Sequence, residues 1–433
     1  MLLMPKANRR PGQPVASLAD HGEPILKGRH GNIPSNVAGA VALAPHRNGM
    51  SRMGRFRLID WMEKAPAPAR VSAVPALVRS YVHGELTLEA REVIEATLTL
   101  LVDDPSPDVR RALAEALSIH ETAPRHLIVA LSQDLPAIAE PIFRRSPCLI
   151  DAELTAAVAF GAPSIQTAIA SRPWISFEVA DAIAAEGDRA AVLAMLANDG
   201  ADLDGDAFAT IAARLGGDGD VREALFARRD LPLAVRQSLI SALGEKLSRF
   251  LVGRAWMAPK RAGVVLREAC DKATVFLAGS ADEAELAALV EHLRASGQLT
   301  TALLIRAMCE GHIRFLEAAL ARLSGLPAPR VYALLIDGRP AALRALFSRA
   351  GLPERSHAAF LAALDVWREL DYDGRDGDEP RFGRRMIERI LTRYQEFAPG
   401  EVDDLLAMLR RLAAEGARTA ARDMLTTRRR DAA

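Results

Sequence analysis

From Leu86 to Val102 the apolar residues Leu88, Val93, Ile94, Leu98, Leu101 and Val102 recur at helical spacing, and Thr87 stands where a hydroxyl would accept the first free amides. The run Asp104, Pro105, Ser106, Pro107, Asp108 predicts a stop, after which Val109, Leu113, Ala116 and Leu117 share one helical face. Together they read as a helix-turn-helix unit. Its second helix is echoed along the chain. An aliphatic residue followed at +3 and +4 by a small or apolar pair recurs at Val109/Ala112/Leu113, Ile138/Pro141/Ile142, Ile165/Ala168/Ile169, Val192/Met195/Leu196 and Val221/Ala224/Leu225. These anchors are 29, 27, 27 and 29 residues apart, a period near 28. The interval leaves room for one partner helix between anchors, seeded by caps such as Asp151, Ser176 and Asp206. The pattern predicts an all-α solenoid of short antiparallel helix pairs, each burying its apolar face only against its neighbours.

Beyond Leu233 the period lengthens into ordinary helices, including 260–277, 282–295, 300–309, 313–323, 340–349 and 356–370. The sequence thereby divides into a Pro- and Gly-rich basic arm (1–53), read as disordered, a short-repeat array (54–245) and longer helix pairs (246–371). An acidic linker (372–380) and a helical tail (381–433) follow. Met50 or Met53, just ahead of a helix-like segment, offers an alternative start. The segment from Asp104 to Ala114 resembles the second-helix signature of HEAT repeats. The stretch from about Leu86 to Leu352 resembles an uncharacterised bacterial family of HEAT-like helical proteins, a domain of unknown function. Its recognisable pieces are Ile169 to Arg172, Leu225 to Pro232, and Gly297 to Gly311. The resemblance implies a fold and no catalytic residues, and Pro141 inside the second repeat departs from the HEAT pattern.

Composition supports the helical expectation. The chain of 433 residues holds 80 Ala and only 5% aromatics, which suits closely packed aliphatic helices. Net charge is zero, but residues 1–57 carry nine basic residues against two acidic, so the body is net negative by seven. An acidic body weighs against a long nucleic-acid track. Cys148, Cys270 and Cys309, odd in number and far apart, suit free thiols in a reducing cytoplasm. No run of 18 apolar residues is present to span a membrane.

Candidate chemistry is sparse. Arg145, Arg172 and Arg228 each fall seven residues after a repeat anchor, with Asp199 in that place in the fourth unit. Equal repeat positions project from one face, so these guanidiniums would form a ladder able to grip carboxylates or phosphates; the competing role is to satisfy helix C-terminal carbonyls. Trp174, in the loop after Arg172, would be an exposed anchor for a partner or a half-buried loop clamp. Asp202, Asp204 and Asp206 suggest calcium, but Ala207 and Ala213 stand where the loop code needs Gly and Glu. The loop from Asp371 fails in the same way, with Asp376 and Phe382 at those two positions. His120 and His126 lack zinc-ligand spacing, and Gly216 to Asp220 lacks the Lys-Ser/Thr of a phosphate loop. Cys270 reads as a small core residue rather than a nucleophile.

No cofactor or metal is expected. The sequence predicts a cytoplasmic, non-enzymatic scaffold or adaptor whose protein partner contacts Arg145, Arg172, Arg228 and Trp174. Its rivals are a HEAT-like nucleic-acid-binding protein or DNA glycosylase, in which the ladder would contact phosphates, and a membrane-peripheral protein tethered by the basic arm.

Overall fold

The computed structural model describes residues 64–369 without a break, together with 58, 61–62, 386–389, 392, 407, 409–414, 417–418 and 421–422. The arm, the acidic linker and the two candidate start residues lie outside the described residues. Among the described residues the fold is all-helical, with one isolated parallel bridge between Ile175 and Ala201. No helix among them is long and apolar enough to cross a membrane.

The chain divides into two compact units, 1–117 with 122–127 and 118–121 with 128–433. The first holds α1 (Ala67–His83), α2 (Leu88–Val102) and α3 (Pro107–Leu117), and α1 packs on both of the others. Val74, Leu77, Leu98, Val109, Leu113 and Leu117 fill its centre. Thr87 caps α2 as its hydroxyl position predicts, accepting from Ala90 N at 3.3 Å. Arg70 closes the unit with a paired contact to Asp104, at 2.7 and 2.8 Å. Asp104 also accepts from Ser106 N, so the acid that ends the α2–α3 turn is held from both sides.

After α4 (Arg125–Ser132) the second unit continues as short helices: α5 (Pro136–Arg145), α6 (Asp151–Phe160), α7 (Pro163–Ala170), α8 (Phe177–Glu186), α9 (Arg189–Leu196), α10 (Gly205–Leu215) and α11 (Gly219–Ala227). Helices α5, α7, α9 and α11 pack successively on one another, and so do α6, α8 and α10. The anchors Ile138, Ile165, Val192 and Val221 are all buried at the centre of the first row. That is why an aliphatic residue recurs once per helix pair. α5 runs through Pro141 to Arg145. Of three expected caps two move, and Ser176 stands at the N-cap of α8 without a side-chain bond. Asp151 is already helical, with Glu153 bonding the backbone of Ile150 at 3.0 Å; the Ser176 hydroxyl stays buried and unused; Asp204, not Asp206, caps α10.

Longer helices follow: α12 (Leu233–Gly253), α13 (Pro259–Gly279), α14 (Glu283–Ala295), α15 (Thr301–Cys309), α16 (Ile313–Ser324), α17 (Ala328–Asp337), α18 (Pro340–Arg349) and α19 (Glu354–Glu369). α12, α14, α16 and α18 extend the second row. α12 and α13 form a hairpin that closes tightly where Gly244 meets Cys270; a Cβ on Gly244 would lie 2.7 Å from the sulfur. The core beyond it is built on Leu289, Leu304, Phe315, Leu335, Phe347 and Phe360, and Met386 and Leu409 of the tail join it. Cys309 is fully buried there and its thiol is pushed up to about 12, so it behaves as an apolar filler.

Asp271 on α13 is the costly charge of this region. Burial raises its pKa to about 6, although Arg306 and Arg267 oppose the shift. Between the ordinary carboxylate value near 4 and pH 6 the unfolded chain has released this proton while the folded chain retains it. Stability therefore falls as pH rises through that window. Asp271→Asn is expected to stabilise the protein at pH 7 by about 1–3 kcal/mol and to leave it unchanged at pH 4, measured by urea unfolding at both values.

Candidate functional site

Short helices expose a large share of their backbone. The last four carbonyls of any α-helix lack intrahelical partners, and in the eight residues of α7 or α9 these are half the helix. Side chains from the next unit meet them. Arg172, two residues past the end of α7, donates to Phe143 O at 2.7 Å and Ser146 O at 2.8 Å, at the end of α5. Asn198, two residues past the end of α9, donates to Ala170 O at 3.1 Å and Arg172 O at 2.7 Å. Arg228, after α11, donates to Asn198 O at 3.0 Å and Ala201 O at 3.4 Å, and is steadied by Asp230 at 2.6 and 2.9 Å. Each side chain clasps the loop of the preceding unit.

The other row uses the same device. Arg214 of α10 reaches Ala184 O and Gly187 O at the end of α8, and Lys246 of α12 reaches Gly217 O at 2.9 Å past the end of α10. Arg349 bonds the carbonyl of Ser324, the last residue of α16, at 2.8 Å, and Arg368 bonds Leu335 O at 2.6 Å in α17. Burial lowers the Arg172 pKa from the usual guanidinium value, with Asp151 nearby opposing. A charge held this way sits among aligned carbonyl dipoles rather than facing an acidic partner.

The predicted ladder therefore divides. Arg172 and Arg228 aim their donors at carbonyls inside the fold. Arg145 has a different place because α5 is two residues longer than α7: it is the last helical residue and is exposed. Asp199 does not fill the place expected in the fourth unit; its neighbour Asn198 does, one residue short of the repeat spacing. Trp174 is 61% exposed, its indole donating to Asp202 Oδ2 at 3.3 Å. Asp204 accepts from Ala207 N at 2.8 Å, so the acidic loop of 202–206 is used in capping and in holding Trp174. Among the described residues no group of three or more His, Cys, Asp or Glu is placed to hold a metal ion.

The loops that carry these residues are themselves paired. Ile175 N donates to Gly200 O at 3.0 Å and Asp202 N to Ile175 O at 3.1 Å, the parallel bridge between the loops preceding α8 and α10. Gly200 allows this approach, since a Cβ there would lie 2.0 Å from Pro173 O. At the same edge Ile150, Trp174 and Phe177 are each more than half exposed, beside the N-termini of the neighbouring helices α6 and α8.

A cleft of about 670 Å3 between α10 and α12 is a second candidate. Ala209, Ala212, Ala213, Gly216, Leu239 and Leu243 line it, with Arg222, Lys246 and Arg249 among its polar groups. Ser238 and His292 meet in its wall at 3.0 Å, and His292 Nε2 is also 3.1 Å from Gln237 Oε1. Gln237 continues to Gln298 Oε1 at 2.6 Å, and Ser241 joins at 3.0 Å. Burial lowers the His292 pKa, favouring the neutral ring. A Ser–His pair invites a nucleophile reading, but among the described residues no carboxylate hydrogen-bonds this imidazole, and its Nε2 is shared with an amide oxygen. The network ties α12 to α14.

The family described as an uncharacterised protein conserved in bacteria, DUF2336, matches residues 138–399. No curated protein and no solved structure matches the chain.

The clasps make quantitative demands. Arg172→Ala, Asn198→Ala and Arg228→Ala are each expected to cost about 1–3 kcal/mol, the penalty of leaving buried carbonyls unpaired. Arg145→Ala should stay within about 0.5 kcal/mol, as for an ordinary surface change. Urea unfolding of the four variants separates the two classes.

Proposed function

The chain belongs to this bacterial family, and on that footing we propose that it is a non-enzymatic, cytoplasmic scaffold that binds a protein partner along one edge of a HEAT-like α-solenoid. The solenoid is supported by the two rows of successively packed helices and by clasps joining residues 26 to 30 positions apart. Helix pairs stacked in this way present loops at a regular pitch, and a partner then needs surface complementarity rather than reacting groups.

The observation that carries the proposal is the exposed apolar edge of Ile150, Trp174 and Phe177, at 54%, 61% and 52%. Three large exposed apolar side chains at the N-terminal ends of neighbouring helices mark an interaction site more often than isolated ones do. Trp174 and Arg145 supply the direct contacts. Arg172 and Arg228 act one step back, fixing the loops on which the contacts stand. The parallel bridge at Ile175, the residue after Trp174, limits the ordering cost of binding.

Affinity capture from native lysate with the full-length protein, beside Trp174→Ala/Phe177→Ala, tests this. A partner protein whose recovery falls about tenfold or more with the variant is expected, the scale of a lost aromatic anchor. An unchanged protein profile, or nucleic acid as the captured species, would contradict it.

A further inference from the structure

Between Ile240 and Arg261 no residue is buried, although α12 and α13 pack on each other. α12 spends its buried positions early, at Val235, Gln237 and Leu239, and then runs on for about 20 Å to Gly253 at a helical rise of 1.5 Å per residue. The end of this hairpin has a composition unlike the rest of the body. From Lys246 to Arg267 the sequence holds six basic residues, Lys246, Arg249, Arg254, Lys260, Arg261 and Arg267, and no acidic one. All six are exposed.

Its apolar residues are exposed too. Leu243, Leu247 and Phe250 follow at i, i+4 and i+7 on α12 and are 41–47% exposed, and Trp256, in the turn to α13, is 70% exposed. The turn presents Trp256 by a specific device. Ala255 adopts φ 55°, a left-handed conformation that a non-glycine residue rarely takes, and Trp256 N then donates back to Leu251 O at 3.1 Å. The indole stands edge-on to Phe250 at 5.8 Å, and the Arg254 guanidinium lies 5.4 Å from the same ring. An amphipathic hairpin end with tryptophan and phenylalanine at its tip and only cations around them has the chemistry of the bilayer interface.

We infer that the tip of the α12–α13 hairpin docks on an anionic lipid surface, with Trp256 and Phe250 entering the headgroup boundary and the cations nearest the tip, Arg254, Lys260 and Arg261, meeting lipid phosphates. Charge complementarity selects this occupant. A second copy of the tip would be repelled by like charge, and residues 58–433 remain net negative despite these six cations, which disfavours a long polyanion lying along the body. The inference is independent of the partner edge at Trp174, and it assigns the contact to the hairpin rather than to the basic arm.

The test uses the full-length chain with large unilamellar vesicles of phosphatidylcholine alone or containing phosphatidylglycerol, read by sedimentation. Binding to the phosphatidylglycerol vesicles and not to phosphatidylcholine alone is expected. Phe250→Ala/Trp256→Ala should weaken it about tenfold. Arg254→Glu/Lys260→Glu/Arg261→Glu should weaken it about a hundredfold or more, since each cation near such a surface contributes about a factor of five. Because these side chains are exposed, both variants should unfold at the wild-type urea midpoint. If either variant fails to fold, brominated lipids supply the second readout: they quench wild-type fluorescence and should not quench that of Trp256→Phe to the same degree. Three results would overturn the inference: no binding to anionic vesicles, binding that both variants retain, which would place it in the arm, or tip-dependent binding of duplex DNA without vesicle binding.

Discussion

A helix of eight residues cannot satisfy half of its own carbonyls, and the stretch from α4 to α11 is built from helices of eight to eleven residues. The carbonyls at the end of α5, α7 and α8 and in the loop after α9 are completed by Arg172, Asn198, Arg214 and Arg228, each arriving from the following helix pair. Helices this short are not stable alone, so each depends on its neighbour twice: for the apolar face that covers it and for the donor that closes its end. Arginine suits the role because its planar fork spans two carbonyls at once and carries a charge that opposes the helix dipole.

Using cations internally shapes what is left outside. The clasping arginines are turned toward the backbone of the previous helix pair, which leaves Ile150, Trp174, Phe177 and Arg145 as the exposed residues of the candidate site. Cations in outward-facing concentration occur elsewhere, at the end of the α12–α13 hairpin, where the helices outrun their buried neighbours. The net charge of zero hides this division of labour. The cost of burying charge is visible too: Asp271, near Arg306 and Arg267 at the base of the hairpin, has its ionised form disfavoured despite both cations.

The aliphatic positions Ile138, Ile165, Val192 and Val221 were legible because each is buried where one row of helices packs. Spacing also singled out Arg172 and Arg228, as partner contacts or as donors to helix-end carbonyls, and their donors meet carbonyls of the preceding helix pair. It misplaced Arg145, because a period measured between buried anchors does not register that α5 ends two residues later than α7. Asn198 escaped because a short amide, one residue away from the expected rung, can do the work of a guanidinium when loops approach as closely as those at Gly200 and Pro173. The hairpin tip was readable in composition but not in meaning. Leu247, Phe250 and Trp256 have the pattern of a buried face, and only the structure reveals that they stay 43%, 47% and 70% exposed.

The central claim is that adjacent units are joined in series by side chains closing the carbonyls of the previous unit. A double-mutant cycle between Arg172→Ala and Asn198→Ala, followed by urea unfolding, tests it most directly, because Asn198 bonds the backbone of the residue whose side chain forms the preceding clasp. The account predicts a coupling of roughly 0.5–1.5 kcal/mol between the two substitutions. Additivity within about 0.3 kcal/mol would show that the clasps act independently and would contradict it.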